Sequence, residues 1–412
     1  MEVWIINHYA MPPKYEMRVR SNMMAKYLQE FGHNVKIFSA STLHNTNMNL
    51  ITEKKILYIK KKYDGLNFIH IKTISYSGNG LLRMLNMFQF PIRLSKVSKL
   101  IDVSPDIIIC DLGTMLSPIV YFISRRFKAR FVKEIRDLWP ESIIEYKDLS
   151  RKNPLVKAMY SLEKWVYKKA DKLIFSMEGG KDYVIDKGWE NSVDLSKIHY
   201  VNNGVDLDIF NFNKLEYICK DDDLLDTNIF KVIYTGSIRL ANNVRKIVEA
   251  AEILQKRNFK NVKFLIYGDG SDREYLERFC KENYITNVIF KGHVEKNKIP
   301  FILSNSDLNI LHFEQNSLKK YGVSLNKMFE YFASGKPTVS DCEFGYDLLN
   351  KYGAGISIDT SRPEELADII INFYRMPALI YQNYCRNALY AAKNFDYKIL
   401  MKQFDNIIND KA

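Results

Sequence analysis

The chain has 412 residues, enough for two or three domains with substantial cores, so a single small module is excluded. Hydrophobic residues make up 47% and charged residues 26%, with 18 Gly and 11 Pro, which rules out a disordered or collagen-like chain. The net charge of +12 belongs to one half: Lys and Arg outnumber Asp and Glu by 32 to 20 in residues 1–205, and the two match at 28 each from residue 206 onward. A basic half faces something anionic. The cations are scattered and carry no zinc-finger or RNP-like signature, which disfavours nucleic acid and leaves a phospholipid surface, the favoured partner, or a phosphorylated substrate. No apolar run approaches the ~20 residues of a membrane span, and the start of the chain lacks a signal-peptide pattern, so the expected location is cytoplasmic. Cys110, Cys219, Cys280, Cys342 and Cys385 have neither disulfide nor zinc spacing, and no metal or other cofactor is expected.

In chain order, Val3 to Asn7 reads as a short buried strand, followed by a Pro-Pro loop over Met11 to Lys14 and a helical pattern from Arg18 to Phe31 that stops at Gly32. Strands are predicted at Asn34 to Ser39, Asp106 to Cys110, Phe131 to Glu134 and Lys172 to Ser176, with helices between them such as Leu155 to Lys169. This rhythm is that of a doubly wound parallel sheet. Asn202 to Asp226 interrupts it with Asn-Gly and an acidic run, as a linker would. A second α/β series follows, with strands at Lys231 to Thr235, Val262 to Tyr267, Val288 to Phe290, Leu308 to Leu311 and Thr338 to Ser340. The predicted organisation is an N-terminal domain over 1–205, a linker over 206–228, a C-terminal domain over 229–390, and a helix over 391–412 that packs back on the first domain. Two such domains are expected to face a central cleft into which the carboxyl ends of their strands point.

The most informative stretch is YGVSLNKMFEYFASGKP, Tyr321 to Pro337. Ser324 is placed to cap a helix running to Ser334, with Gly335 as its stop. Lys327 in the first turn and Glu330 three residues later project near the positive end of the helix dipole, where an anion belongs. A diphosphate there would take the N–H groups near Ser324 and Asn326 with the Lys327 ammonium, and Glu330 would accept ribose hydroxyls. A capped surface helix with a local Lys–Glu contact is the plain alternative. Gly236 and the loop to Asn243, with Arg239 as anion partner, stand where a nucleotide-binding α/β domain turns toward phosphate. YGDG at Tyr267 to Gly270 has two glycines that permit close backbone approach to a ligand, or simply form a tight turn. NNGVD at Asn202 to Asp206 reads as a turn with a helix cap.

In the first half, KEIRDLWPES closes a strand with Arg136, Asp137 and Trp139, either a cleft lip or an Arg136–Asp137 ion pair over the sheet end. His8 follows the first strand, where it either faces the same region or is a satisfied packing residue. Asn79 to Leu100 combines Leu81, Leu82, Met84, Leu85 and Phe88 with Arg83, Arg93, Lys96 and Lys99 and contains no acidic residue. It reads as an interfacial membrane segment or as a core helix with a basic face, interrupted at Pro91.

Together the HYAMPP start at His8, GHNVKIFSAS at Gly32, RDLWPES at Arg136, NNGVDLDIF at Asn202, TGSIRLANN at Thr235, YGDG at Tyr267 and YGVSLNKMFEYFASGKP resemble the GT-B glycosyltransferases of family 4, the retaining class that includes capsule and O-antigen sugar transferases. The resemblance implies a donor site of Gly236, Ser237, Arg239, Gly268, Asp269, His293, Val294, Tyr321, Gly322, Ser324, Asn326, Lys327 and Glu330. Glu330 corresponds to the second glutamate of the family's Glu-x7-Glu motif, while the first carboxylate is replaced by Gly322. Catalysis would fall to Asp137, His8, Arg239 and Lys327, the acceptor side to Lys14, Arg18, Arg136 and Trp139, and membrane contact to Leu81, Leu82, Arg83, Leu85 and Phe88.

The expected activity is transfer of a hexosyl or N-acetylhexosaminyl group from a nucleotide sugar, UDP foremost, to a polyprenyl-diphosphate-linked saccharide at the cytoplasmic face of the inner membrane. Two alternatives stand beside it: a nucleotide-sugar epimerase of GT-B shape, and a non-catalytic nucleotide-sugar-binding scaffold, the latter suggested by Gly322.

Overall fold

The computed structural model describes every residue except 13, 16–19, 45, 47, 79, 148, 240–241, 313–316 and 411–412, and omits the side chains of 146 and 147. The chain divides into two units, Met1–Asn202 with Tyr397–Ala412, and Asn203–Asp396.

The first unit is built on eight strands: β1 Glu2–Ile6, β2 Asn34–Ala40, β3 Tyr58–Tyr63, β4 Leu66–Ile71, β5 Ile107–Cys110, β6 Arg130–Ile135, β7 Lys172–Phe175 and β8 Ile198–Tyr200. Their order is β3-β4-β2-β1-β5-β6-β7-β8. β1 and β5 lie in the middle, pair in parallel, and are buried throughout, which is why they read as unbroken apolar runs. β3 alone runs antiparallel, joined to β4 by a two-residue turn in which Asp64 (φ 48°) and Gly65 (φ 83°) both adopt the left-handed conformation. Lys60, Lys61 and Lys62 make β3 a charged, exposed edge that discourages pairing with another chain.

The segment expected as an interrupted helix is one helix, Leu81–Val97, running through the buried Pro91. The last helix, Tyr397–Asn409, packs on the helix Arg20–Glu30 within the same unit, where His33 Nε2 lies 2.7 Å from Asp405.

The second unit has β9 Phe230–Thr235, β10 Val262–Tyr267, β11 Val288–Gly292, β12 Leu308–Leu311, β13 Thr338–Ser340 and β14 Gly355–Ser357, all parallel, in the order β11-β10-β9-β12-β13-β14. Val232, Ile247, Leu254, Phe264, Ile310 and Ile370 are among the side chains that fill its core between sheet and helices.

The stretch expected as a linker is not one. Residues 206–228 hold the helices Leu207–Glu216 and Asp222–Leu225 and belong to the second unit. Acidic residues there find specific partners: Asp206 accepts from Ile209 N–H at 3.0 Å as a helix cap, and in the acidic run Asp221 receives Lys291 at 2.6 Å and the Tyr267 hydroxyl at 2.8 Å. Because each sheet is parallel near its centre, the carboxyl ends of its strands share one edge, and the loops of interest leave from that edge.

Candidate functional site

In the second unit, three loops leave adjacent strands and are stitched together through their backbones. Gly236 N–H donates to the Tyr267 carbonyl at 2.9 Å, Ile238 N–H to that of Asp269 at 2.9 Å, and Gly268 N–H to that of Gly292 at 2.8 Å. This packing explains two glycines. A Cβ at Gly268, where φ is 155°, would stand 1.8 Å from the Gly236 oxygen, and one at Gly270 would stand 2.2 Å from the Ile238 oxygen. The sequence left these glycines as an approach to a ligand or a tight turn; in the structure they make room for neighbouring backbone.

Gly236 itself, at φ 147°, leaves space for a cation: the Lys327 amine would lie 2.9 Å from a Cβ placed there. Lys327 sits in the first turn of the helix Asn326–Ala333, with its amine 4.5 Å from the Tyr234 ring centroid and 3.4 Å from the Tyr234 hydroxyl. That hydroxyl donates onward to the Ser237 carbonyl at 3.0 Å. Enclosure of the ammonium lowers its pKa to about 8, Glu330 opposing this and Lys296 adding to it. An ammonium so placed has donors to spare, and an anion would restore its charge preference.

Ser324 does not cap this helix. Leu325 occupies the cap position with no side-chain hydrogen bond, while the Ser324 hydroxyl accepts from Asn203 N–H at 3.2 Å and the Ser324 carbonyl from Asn203 Nδ2 at 3.0 Å. The cap signal fails because a tertiary partner claims the hydroxyl. The consequence suits anion binding, since among the described residues the helix start has no side-chain cap. Asn203, which sequence reasoning left in a turn, is what anchors the loop leading into the helix; the Asn-Asn-Gly string carried that signal only faintly. Gly335 ends the helix at φ 69°, as expected.

Glu330 is held by Lys296, a partner the sequence reading did not single out. Ser237 and Arg239 are exposed on the loop after β9, and Asn242 Nδ2 donates to the Ser237 hydroxyl at 2.6 Å. Asp269 accepts from Gly270 N–H at 2.8 Å. His293 is exposed and Val294 partly so just after β11, while Tyr321 and Gly322 are buried ahead of the helix. The structure therefore gathers Gly236, Ser237 and Lys327 tightly and leaves Arg239 at the rim.

In the first unit, Asp111, Gly113, Thr114, Lys133, Arg136, Asp137 and Trp139 line a recess of about 40 Å³. Arg136 pairs with Asp111 at 3.2 Å, between neighbouring strand ends, so of the two sequence readings the local Arg136–Asp137 ion pair is not the one formed. Asp137 keeps an exposed face at the mouth of the recess, and crowding by protein on its other side shifts its pKa upward, opposed by Arg136. Lys133, unnoticed in the sequence because it lies inside a strand, is buried and donates to the carbonyls of Cys110, Leu112 and Glu134 at 3.2, 2.6 and 2.8 Å.

His8 is buried, with Nε2 at 2.6 Å from Asn86 Oδ1, and burial lowers its pKa to about 4, so it is neutral at pH 7. Lys14 is exposed above the Tyr15 ring, and Arg18 lies outside the described residues.

On the helix Leu81–Val97, Leu81, Leu82, Leu85 and Phe88 are exposed by 70, 56, 49 and 43%, whereas Arg83 turns back to the Tyr9 hydroxyl at 3.4 Å. Arg83 is thus not part of the outward apolar face. No helix among the described residues is long and apolar enough to cross a membrane.

Residues 220–394 match the domain family described as glycosyl transferases group 1, and residues 19–209 match the one described as glycosyltransferase family 4. A Bacillus subtilis (strain 168) protein named as a candidate teichuronic acid biosynthesis glycosyltransferase, TuaH, is 28% identical over 193 residues, 44% of this chain and 43% of the relative. That match spans less than half of the relative's length. Among solved structures, sucrose-phosphate synthase from Thermosynechococcus elongatus aligns at TM-score 0.71 and 13% identity over 99% of this chain and 98% of its own. An E. coli trehalose-6-phosphate protein bound with UDP-2-fluoro glucose aligns at 0.75 and 11% over the whole of both chains. An Anabaena protein, HepE, in complex with UDP and glucose aligns at 0.66 and 14%, also over both whole chains. These structural likenesses establish the GT-B fold.

Proposed function

We propose that this chain, a GT-B protein whose halves match the family 4 and group 1 glycosyltransferase domains, transfers a sugar from a nucleoside-diphosphate sugar, UDP foremost, to a polyprenyl-diphosphate-linked saccharide in surface-polysaccharide synthesis. The observation that carries this reading is the enclosed Lys327 ammonium beside Gly236, at a helix start whose first N–H groups have no side-chain cap. A diphosphate fits that charge and those donors. As the sugar–phosphate bond breaks, negative charge grows on the leaving diphosphate, and Lys327, with Arg239 at the rim and the helix start, stabilises it. The acceptor hydroxyl attacks from the face the diphosphate leaves, so configuration is retained and the departing phosphate oxygen takes the proton. In the first unit, Asp137 and neutral His8 orient the acceptor hydroxyl. Glu330 exchanges its Lys296 contact for the ribose hydroxyls.

UDP is favoured because the E. coli and Anabaena structures hold UDP compounds, and a surface polysaccharide because TuaH is named as a candidate teichuronic acid biosynthesis glycosyltransferase. The exposed Leu81, Leu82, Leu85 and Phe88 supply the apolar face that a lipid-linked acceptor at an anionic membrane surface calls for. A thermal-shift panel of UDP, GDP, ADP and their sugars tests the donor assignment: one nucleotide class raises the melting temperature of the wild type and not of Lys327→Ala. A panel without any shift refutes it.

A further inference from the structure

Beside the helix Leu81–Val97 the first unit holds a recess of about 440 Å³ that the reading above does not use. Its walls come from Asn49, Ile51 and Thr52, from Lys72 to Ser75 just past β4, and from Arg93 on the helix, and none of the side chains lining it is acidic. Two bonds fasten the helix to one wall: the Gln89 side-chain carbonyl accepts from Ile74 N–H at 2.8 Å, and Arg93 Nη1 donates to the Lys72 carbonyl at 2.6 Å.

That carbonyl takes one N–H of the Arg93 guanidinium. Nε and Nη2 have no partner among the described residues, and with no carboxylate beside it partial burial lowers the Arg93 pKa unopposed. A guanidinium stays charged even so. The Lys72 amine donates to the Glu53 carbonyl and has donors to spare, Ser75 Oγ accepts from Asn49 Nδ2 at 3.3 Å and keeps its own hydrogen, and Thr52 is exposed. Spare donors from two cations and two hydroxyls, with no competing carboxylate, fit a phosphate, whose oxygens an arginine fork matches in pairs.

Position says what carries the phosphate. Ile92 is 52% exposed, so Leu81, Leu85, Phe88 and Ile92 form one outward apolar ridge at helical spacing. Gln89 and Arg93, four residues apart, run along the flank of that ridge. An apolar helix face of this kind sinks about 5–10 Å into the boundary between headgroups and acyl chains, which sets its flank at the level of the lipid phosphates. Ile51 and Ile74 add apolar wall to the recess, and the positive charge of the first half complements an anionic headgroup.

We infer that this recess binds the phosphodiester of an anionic membrane phospholipid, with the Arg93 fork on the phosphate and Lys72, Thr52 and Ser75 around it. The inference rests on the membrane reading of this helix, but the two fail separately. The probe is dihexanoylphosphatidylglycerol, kept below its micelle-forming concentration and titrated calorimetrically against the full chain, with inorganic phosphate as the second arm. Wild type should bind the lipid saturably, one per chain. Arg93→Lys, which keeps the charge and loses the fork, and Thr52→Glu, which sets a carboxylate at an exposed lining position, should each weaken binding about tenfold. Lys99→Gln removes an exposed cation outside the recess and should stay within about twofold of wild type. Thr52 has no hydrogen-bond partner among the described residues, so Thr52→Glu carries the test should Arg93→Lys fail to fold.

Arg93→Lys binding as wild type does, or equal losses in Thr52→Glu and Lys99→Gln, would mean diffuse charge attraction and overturn the inference. Inorganic phosphate bound as tightly as the lipid would mean a soluble ligand and overturn it too, as would a wild type that binds no lipid. Replacing Leu82, Leu85 and Phe88 with serine separates the two readings. That variant should still bind the short-chain lipid, and loss of this binding would overturn the recess. Its unchanged sedimentation with phosphatidylglycerol vesicles would overturn the membrane reading of the helix instead.

Discussion

The Lys327 ammonium stands 4.5 Å from the centre of the Tyr234 ring and 3.4 Å from the Tyr234 hydroxyl, to which it donates. A cation held by an aromatic face and one long hydrogen bond is poorly compensated, which is why enclosure brings its pKa down to about 8. Diphosphate binding restores the charge and must therefore take up a proton at alkaline pH.

The first prediction follows from that sign. The dissociation constant for UDP should be steady from pH 7 to about 8 and rise above it, by up to about tenfold per unit, as the free amine loses its proton. Lys327→Met should bind UDP roughly 30-fold more weakly at pH 7, for loss of one charge-assisted contact of about 2 kcal/mol, and should show no such rise. For the free protein the linkage runs the other way. The folded pKa lies below the usual 10.5, so the burial penalty is present at neutral pH and relieved as pH climbs from about 8 through 10.5. Lys327→Met should accordingly melt no lower than wild type at pH 7.

Gly268 gives a stability prediction. A methyl group there meets the Gly236 carbonyl oxygen at 1.8 Å, and φ is 155°, so Gly268→Ala should cost about 3 kcal/mol or more in denaturant unfolding. Gly113→Ala meets nothing within 4 Å and should stay within about 0.5 kcal/mol of wild type.

Glu330 gives one about the ribose. If its carboxylate accepts ribose hydroxyls, Glu330→Gln should weaken UDP by about tenfold, and 2′-deoxy-UDP should lose less in the variant than UDP does. Identical losses for the two nucleotides would place the ribose elsewhere.

Much of the fold was legible because buried parallel strands leave unbroken apolar runs: Val262–Tyr267, Leu308–Leu311 and Thr338–Ser340 fall where the sequence set them. β3 and β4 were missed. Tyr58–Tyr63 is half lysine and has no apolar alternation, being an edge strand specified by the Asp-Gly turn and its partner. The placement of Lys327 and Glu330 on one helix was readable from spacing, whereas the fate of Ser324 was not, because Asn203 lies 121 residues away in sequence. Lys296, Lys133 and Asn86 escaped notice for the same reason: each acquires its meaning from a distant partner, and no local pattern records it.

The outward face of the Leu81–Val97 helix carries a membrane prediction. Replacing Leu82, Leu85 and Phe88 with serine removes side chains worth roughly 1.5–3 kcal/mol each when fully buried in an apolar phase. The triple variant should lose co-sedimentation with phosphatidylglycerol vesicles while keeping the wild-type melting temperature, because these residues are already 56, 49 and 43% exposed. Unchanged sedimentation would remove this helix from the acceptor model.

A crystal structure with UDP bound reads the phosphate position without inference. The account predicts a diphosphate oxygen within hydrogen-bonding distance of Lys327 Nζ, at the first turn of Asn326–Ala333 and against Gly236. UDP held elsewhere, with the Lys327 amine still resting on Tyr234 alone, would contradict it.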